Sequence, residues 1–494
     1  MALASLLFAA WLIYQPAAPR SFDYVDFPEN IKVLIDNPGL GSGFRSLMDV
    51  YVNHGRWAPI TIGTLAAQWS LFEWWTAGWQ LTRFGIMGAC VVFAYWFARR
   101  LGLTSIGAIA SASLLIVSPA AVMGWTRLST AEPITLLFLL VACHAAIGRR
   151  TISNSLALGV LLLAVMWTKE IATAAFALPV LIAFAIDENG RLNKPSWKSG
   201  HTSLLAAIGA AFAIGAAPIL WTLFTAPRDS FARAYAGSGF SLGDIFGGSL
   251  TAWLPFVPVS ERSASVVLVV VAAYLVILIT GWRKALQSQE TRTHRRFILT
   301  LAIGIPVIGG LSYAPWPFYL LVYALPFIAA GSLLLGQSVG VPSGGGVADR
   351  VIPLAGVTIV LTFGAAQAFN ESERTRALHE VFAQTVARVA VVPDIDSALV
   401  DVAPGQFDPQ GNFGPRFIRY ARMLNLPWPA VRDVSCDEFE VRQPRTLRLR
   451  LNLMCDPPER TTPLISARYA QFSWPNPRPR IDSVTMSFGE PARR

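Results

Sequence analysis

Three carboxylates open the first long polar segment of the 494-residue chain. Asp23, Asp26 and Glu29 stand at i, i+3 and i+6 in Ser21-Phe22-Asp23-Tyr24-Val25-Asp26-Phe27-Pro28-Glu29-Asn30. On a helix, residues three apart share a face, although Pro28 argues against a regular helix here. A carboxylate this close to an apolar run can act as general base toward a hydroxyl nucleophile at a membrane surface. Without that chemistry the same residues form a solvated acidic loop. The segment continues to Asn53-His54-Gly55-Arg56-Trp57-Ala58-Pro59. A tryptophan suits the headgroup level, where its ring is in apolar surroundings and its N–H stays wet. Arg56 beside it either pairs with a lipid phosphate through charge-assisted hydrogen bonds or serves as an interface anchor. Two further polar turns follow. Trp125-Thr126-Arg127-Leu128-Ser129-Thr130-Ala131-Glu132-Pro133 carries Arg127 and Glu132, and Trp167-Thr168-Lys169-Glu170 carries a Lys-Glu neighbour pair that a purely structural ion pair would also give. Arg56, Arg127 and Lys169 are cations of the kind a lipid-phosphate substrate needs, provided all three reach the face that holds the acidic loop.

The elements around these residues are apolar. Hydrophobic residues make up 53% of the chain and charged residues 14%, where a soluble globular protein carries about 25% charged. Runs of membrane-spanning character recur at roughly 2–18, 79–98, 104–123, 131–148, 152–168, 171–186, 203–225, 263–282, 297–313, 317–336 and 351–368, several of them shorter than the ~20 residues that cross ~30 Å of hydrocarbon. The first run also fits a signal peptide ending near Pro16-Ala17-Ala18, although no positive n-region precedes it. The net charge is +10. Nearly all of the excess sits in short segments between alternate runs, such as Arg99-Arg100, Arg149-Arg150, Arg283-Lys284 and Arg292 to Arg296. This is the positive-inside pattern, and it leaves no basic face for a nucleic acid. With the N-terminus inside, the loop 19–57, the turns at Arg127 and Lys169, the loop 226–262 and the C-terminal tail all face outward. The expected architecture is mainly α: a polytopic membrane protein with about eleven transmembrane helices and a small C-terminal extracytoplasmic α/β or α+β domain. Residues 1–368 form the membrane domain, with a functional outer loop at 19–78, and residues 369–494 the soluble one. The expected location is a bacterial inner membrane, N-terminus cytoplasmic and C-terminus outside.

Residues 58–77, rich in tryptophan and containing Glu73, read as a helix at the outer interface, with a twelfth span as the alternative. In the tail, 371–390 has the pattern of an amphipathic helix. Leu447, Leu449, Leu451 and Leu453 alternate with Arg448, Arg450 and Asn452, as in a half-buried strand. Cys90 and Cys143 lie in apolar runs and read as packing residues. Cys436 and Cys455 lie in the tail, where an oxidising compartment favours a disulfide over a pair of buried thiols. The spans are nearly free of ionisable groups at mid-depth, which argues against a proton- or sodium-driven carrier.

The order of these features carries a resemblance. One span is followed by an outer loop with early aspartates, Gly-Arg-Trp-x-Pro, a Trp-rich interfacial helix, a span ending in Arg-Arg, a Ser/Thr-x-Glu turn and a Trp-Thr-Lys-Glu turn. Over residues 1–335 this resembles the GT-C superfamily of integral membrane glycosyltransferases, on the side of the bacterial protein O-mannosyltransferase-like members. Phe318-Tyr319-Leu320-Leu321-Val322-Tyr323-Ala324-Leu325-Pro326 is similar to their late Arg-Tyr-x-x-x-x-Pro segment but lacks its Arg. The resemblance implies inverting transfer of a sugar from a polyprenyl-phosphate donor to an envelope acceptor (protein, lipid or glycan) on the outer face. It places the base at Asp26 or Asp23 and the donor phosphate at Arg56, Arg127 and Lys169, with Glu29, His54, Glu132 and Glu170 as substrate-binding candidates. Polyprenyl phosphate leaves as a stable anion, so one base and a few cations suffice; glycosidases instead use two carboxylates. No metal or other cofactor is required by that mechanism, and the sequence has no ligand cluster for one. A flippase or transporter of lipid-linked saccharides would share the topology and the cations without needing the aspartates. A polysaccharide polymerase or ligase would use the same kind of donor.

Overall fold

The computed structural model describes residues 2–14, 27–128, 131–146, 151–169, 201–225, 227, 264–287, 325–340, 347–391, 396–402, 413–435, 446–451, 462–473 and 476–489. The described helices are α1 Ala2–Tyr14, α2 Phe27–Asp36, α3 Leu40–Asn53, α4 Pro59–Phe72, α5 Thr76–Arg100, α6 Ser105–Val117, α7 Pro119–Thr126, α8 Glu132–Ala146, α9 Ile152–Thr168, α10 His201–Thr225, α11 Ala264–Gln287, α12 Leu325–Gly340, α13 Ala348–Val389 and α14 Phe413–Met423. Five strands follow the same order: β1 Ser397–Val402, β2 Ala430–Ser435, β3 Thr446–Leu451, β4 Thr462–Ser473 and β5 Asn476–Gly489. The chain divides into two compact units, one of Met1–Gln15, Phe44–Ala67 and Leu81–Phe369, the other of Pro16–Gly43, Gln68–Gln80 and Asn370–Arg494.

The first unit is helical. Among the described residues of the whole chain, three stretches are long and apolar enough to cross a bilayer: Thr76–Arg100, Ala206–Thr225 and Arg350–Val389. Apolar helices of 10–17 residues, among them α6 and α9, accompany them. The expected spans 171–186 and 297–313 lie outside the described residues. The run 104–123 departs from expectation, because it is two helices rather than one. Pro119 has no N–H to give the carbonyl of Leu115, and Ser118 takes an extended conformation that ends α6. The carbonyls freed by the break are capped from elsewhere. The indole N–H of Trp125 donates to Leu115 O at 2.9 Å, and the Tyr14 hydroxyl donates to Ile116 O at 2.7 Å.

Helix α6 is buried along nearly its whole length after the first turn, as expected of a helix apolar on every side. It packs against α12 through small residues. A Cβ on Gly107 would lie 2.5 Å from Gly340 Cα, and one on Gly336 would lie 2.5 Å from Gly107 O. Between helices that face lipid, apolar surface alone does not hold two together, and close backbone approach of this kind does. Elsewhere in the unit, α8 pairs with α9, α9 with α10 and α11 with α12.

The second unit is built on a mixed sheet of order β2-β1-β3-β5-β4. β1 runs parallel to both β2 and β3, and β5 runs antiparallel to β3 and β4. Of the leucines in the alternation read in the sequence, Leu447 and Leu449 are buried in β3. The amphipathic pattern at 371–390 lies within the longer helix α13. Helix α14 packs on β1 and β2, and α2 packs on α14.

Candidate functional site

In the first unit the polar residues of two separate turns meet at one end of the α8–α9 hairpin. Glu132 is the first residue of α8, where the helix dipole favours an anion, and Lys169 caps the C-terminus of α9, where it favours a cation. The antiparallel hairpin brings these two ends together, and Lys169 Nζ lies 2.6 Å from Glu132 Oε1 with both side chains buried. Glu132 Oε2, also buried, has no hydrogen-bond partner. Thr168 ties the neighbouring elements to this end. Its hydroxyl lies 2.9 Å from that of Thr135 on α8, and its carbonyl, left without an N–H partner by the end of the helix, accepts from the Thr61 hydroxyl of α4 at 2.6 Å.

The turn after α7 is held from α5. The Arg83 guanidinium donates to the carbonyl of Leu128, the residue after Arg127, and both arginines are buried. Arg56 stands three residues before α4 in a turn closed by its own N–H to Tyr51 O at 2.9 Å. Its guanidinium lies over the Tyr51 ring, 5.1 Å from the centroid, a cation–π contact. The next residue, Trp57, meets Trp167 edge to face at 6.5 Å between centroids. Trp57 and Trp167 thus link the Arg56 turn to the Lys169 turn within the unit.

The structure therefore joins Glu132 to Lys169 directly and sets Arg127 and Arg56 on segments tied to the same hairpin end. It does not bring His54 there: the imidazole is exposed and its Nδ1 donates to Val50 O of the preceding helix α3 at 2.6 Å. Glu29 belongs to the second unit, where its carboxylate lies 3.2 Å from Arg419 Nε. Asp23, Asp26 and Glu170 lie outside the described residues, as do Cys436 and Cys455. Sequence reasoning did not single out Arg83, Thr61, Thr135 or Thr168 for the site. For Arg83 a signal existed, an arginine inside an apolar run. For the threonines there was none, since a hydroxyl that caps a helix from another element has no local pattern.

At the hairpin end the arrangement offers a buried lysine, a carboxylate with one oxygen committed to that lysine and the other open to a donor, and the Trp57–Trp167 pair on the adjoining segments. Such a site can bind an anion and a hydroxyl-bearing group together. No protein-family model matches the sequence, and no curated protein matches it. Among solved structures, the chain is similar to the arabinofuranosyltransferase AftD from Mycobacteria, with a TM-score of 0.49 and 13% identity over 99% of this chain and 39% of that one, well under half of AftD's length. It is also similar to ArnT from Cupriavidus metallidurans bound to undecaprenyl phosphate, with a TM-score of 0.48 and 13% identity over 98% of this chain and 97% of that one.

Proposed function

We propose that the chain is a membrane glycosyltransferase of the GT-C kind, similar in plan to the bacterial protein O-mannosyltransferase-like members. It transfers a sugar from a polyprenyl-phosphate donor to an envelope acceptor on the outer face. The observation that carries the reading is the buried pair Lys169–Glu132 at the end of an apolar hairpin, with buried Arg127 and Arg83 at the adjoining turn. Ionisable groups buried among membrane helices are costly and mark sites of function.

In this mechanism Asp26 or Asp23 takes the proton from the acceptor hydroxyl. The oxygen attacks the anomeric carbon from the face opposite the phosphate, the glycosidic bond to phosphate breaks, and polyprenyl phosphate leaves with the electron pair. Lys169, Arg127 and Arg56 stabilise the charge that grows on the leaving phosphate, worth more in a water-poor site than in bulk water. Glu132 holds Lys169 through one oxygen and accepts a substrate hydroxyl with the other.

The test is mass spectrometry of envelope glycans and glycoproteins from a deletion strain, paired with transfer by the purified protein from a polyprenyl-phosphate sugar. One missing sugar, restored by the purified protein, is expected and names donor and acceptor together. A full glycan complement, or movement of the lipid-linked sugar across vesicles without transfer, would overturn the proposal in favour of flipping.

A further inference from the structure

Lys169 is held at both ends of its side chain. Glu132 holds the tip. The backbone end is held through Thr168, the last residue of α9. A carbonyl at the C-terminus of a helix has no N–H of that helix to accept from. Thr168 is 1% exposed, so water does not serve its carbonyl either, and leaving such a group unpaired is costly. The Thr61 hydroxyl of α4 supplies the partner, donating to Thr168 O at 2.6 Å. Thr61 lies in the first turn of α4 and is itself buried. The Thr168 side chain is fixed in its turn. Its hydroxyl donates to Val165 O at 2.6 Å and lies 2.9 Å from the Thr135 hydroxyl of α8. Trp57, two residues before α4, meets the Trp167 ring edge to face. The start of α4 thus grips two successive residues of α9, and all of these side chains belong to the first unit.

Thr61 holds more than a helix end. A peptide group is planar, so the Thr168 carbonyl shares one rigid plane with the nitrogen and Cα of Lys169. The backbone leaves the helix at that point, with Lys169 extended at φ −158° and ψ 132°. The direction in which Lys169 departs therefore follows from the direction of the carbonyl that Thr61 holds. Without the hydroxyl, the buried carbonyl turns toward another donor, and Lys169 Cα turns with it. A group that works on a substrate has to stay within about 0.5 Å and 10–20° of its working geometry. A displacement of ~1 Å can cost ~10²-fold in rate.

We propose that Thr61 is a positioning residue for Lys169: its hydroxyl orients the peptide from which the lysine projects and so aims the ammonium group at the phosphate of the lipid-linked donor. This rests on the transferase reading above, in which Lys169 binds that phosphate. Thr61→Val keeps the shape of the side chain and removes the hydroxyl. Thr61→Ser keeps the hydroxyl and removes a methyl group.

The experiment uses the full-length protein in detergent micelles and measures the Kd of a polyprenyl monophosphate and of the same polyprenol without phosphate, with sugar transfer read in parallel. The ratio of the two constants reports the phosphate contact. Thr61→Val should reduce the preference for the phosphate by roughly 3–10-fold, the scale of one net hydrogen bond. Thr61→Ser should restore it to within about twofold, the margin within which independent changes add. The same Thr61→Val change is made in the Glu132→Leu/Lys169→Met background, where there is no lysine to aim. There the preference should stay within about twofold of the parent. An unchanged preference in Thr61→Val, or a fall of equal size in both backgrounds, overturns the positioning role; the second result makes Thr61 a general support of the fold. A fall that Thr61→Ser does not restore overturns it too, because the hydroxyl is then not the group that acts. If Thr61→Val fails to fold, Thr61→Cys, whose thiol is only a weak donor, takes its place with the same outcomes. No preference for the phosphate in the unaltered protein overturns the phosphate role of Lys169 and the positioning role with it. The expected pattern of binding without any transfer of sugar keeps the positioning of Lys169 and counts against the transferase reading.

Discussion

A lysine and a glutamate buried 2.6 Å apart constrain every variant at this site. Removing one partner of a buried ion pair leaves the other charge uncompensated, a loss of about 3–5 kcal/mol, whereas replacing both by apolar groups is often nearly neutral. Lys169→Ala and Glu132→Ala should therefore each lower the unfolding temperature in detergent markedly. The double variant Glu132→Leu/Lys169→Met should lose much less than the sum of the two. Equal losses for the double variant and for the sum would mean the pair is not coupled. Where Lys169→Ala remains folded, it should raise the donor Kd, through loss of the phosphate contact, and also lower turnover, through loss of the charge that stabilises the leaving phosphate. The proposed base answers to a different measurement. Asp→Asn keeps the size and most of the hydrogen bonding but removes the basic site, and a general base contributes ~10²–10⁴-fold to rate. One of Asp26→Asn and Asp23→Asn should lose turnover on that scale while still binding donor, and the other should lose much less. Near wild-type transfer by both single variants and by the double variant would refute the assignment.

Elements position these residues, and they were legible in the sequence to different degrees. The apolar run 131–148 and the run 152–168 became α8 and α9 with little change, because hydropathy marks an apolar run whether its side chains are buried, like Leu136 and Leu158, or exposed, like Leu156 and Val160. The run 104–123 reads as one span for the same reason, since hydropathy cannot register that a proline has orphaned a carbonyl. Its repair by Trp125 and Tyr14 depends on tertiary neighbours that no local pattern names. Trp125→Phe keeps the ring and removes the N–H that serves Leu115 O, so it should cost about 1–3 kcal/mol, the penalty of an unsatisfied buried acceptor. Pro119→Ala restores an N–H at the position that would serve the same carbonyl. Combined with Trp125→Phe it should recover part of the loss in thermal unfolding, and no recovery would refute the capping role. The glycines of the α6–α12 crossing were equally silent, because a glycine in an apolar run shows its purpose only when the facing backbone is known. With Gly107 O 2.5 Å from where a Cβ on Gly336 would sit, Gly336→Leu should push the helices apart and cost at least the ~1–3 kcal/mol typical of overpacking, read in the same unfolding assay.

At the scale of the whole molecule, sequence pattern distinguishes an apolar first part from a polar tail but does not reveal how the second unit is assembled. Lys32 and Asn425, whose side chains meet at 3.4 Å, are 393 positions apart, and docking between distant segments leaves no periodicity to read. That assembly bears on topology. Helix α2 from the first loop and α14 from the tail belong to one packed unit, as they must if the loop 19–57 and the tail share a side of the membrane. Helix α13 is long enough to make the crossing that the positive-inside pattern predicts. From Arg350 to Arg376 it is continuous, and 26 steps of 1.5 Å make about 39 Å, more than the ~30 Å of hydrocarbon. Its first part is apolar. From Glu371 onward it carries ion pairs with its own neighbours, Arg374 with Glu371 and Arg376 with Glu373 and Glu380, a density of charge that hydrocarbon disfavours. Reporter fusions after Arg350 and after Arg376 should therefore report opposite sides, the first cytoplasmic and the second external. The compartment then decides the tail's cysteines. An external tail favours a bond between Cys436 and Cys455, enclosing 18 residues, and closing a loop of that size contributes about 3 kcal/mol in the chain-entropy account. Thiol labelling of the denatured, unreduced protein should leave both unmodified. The same side for both fusions would remove the aspartates from the outer face and the proposed reaction with them; opposite sides with both thiols labelled would keep the topology and eliminate only the disulfide.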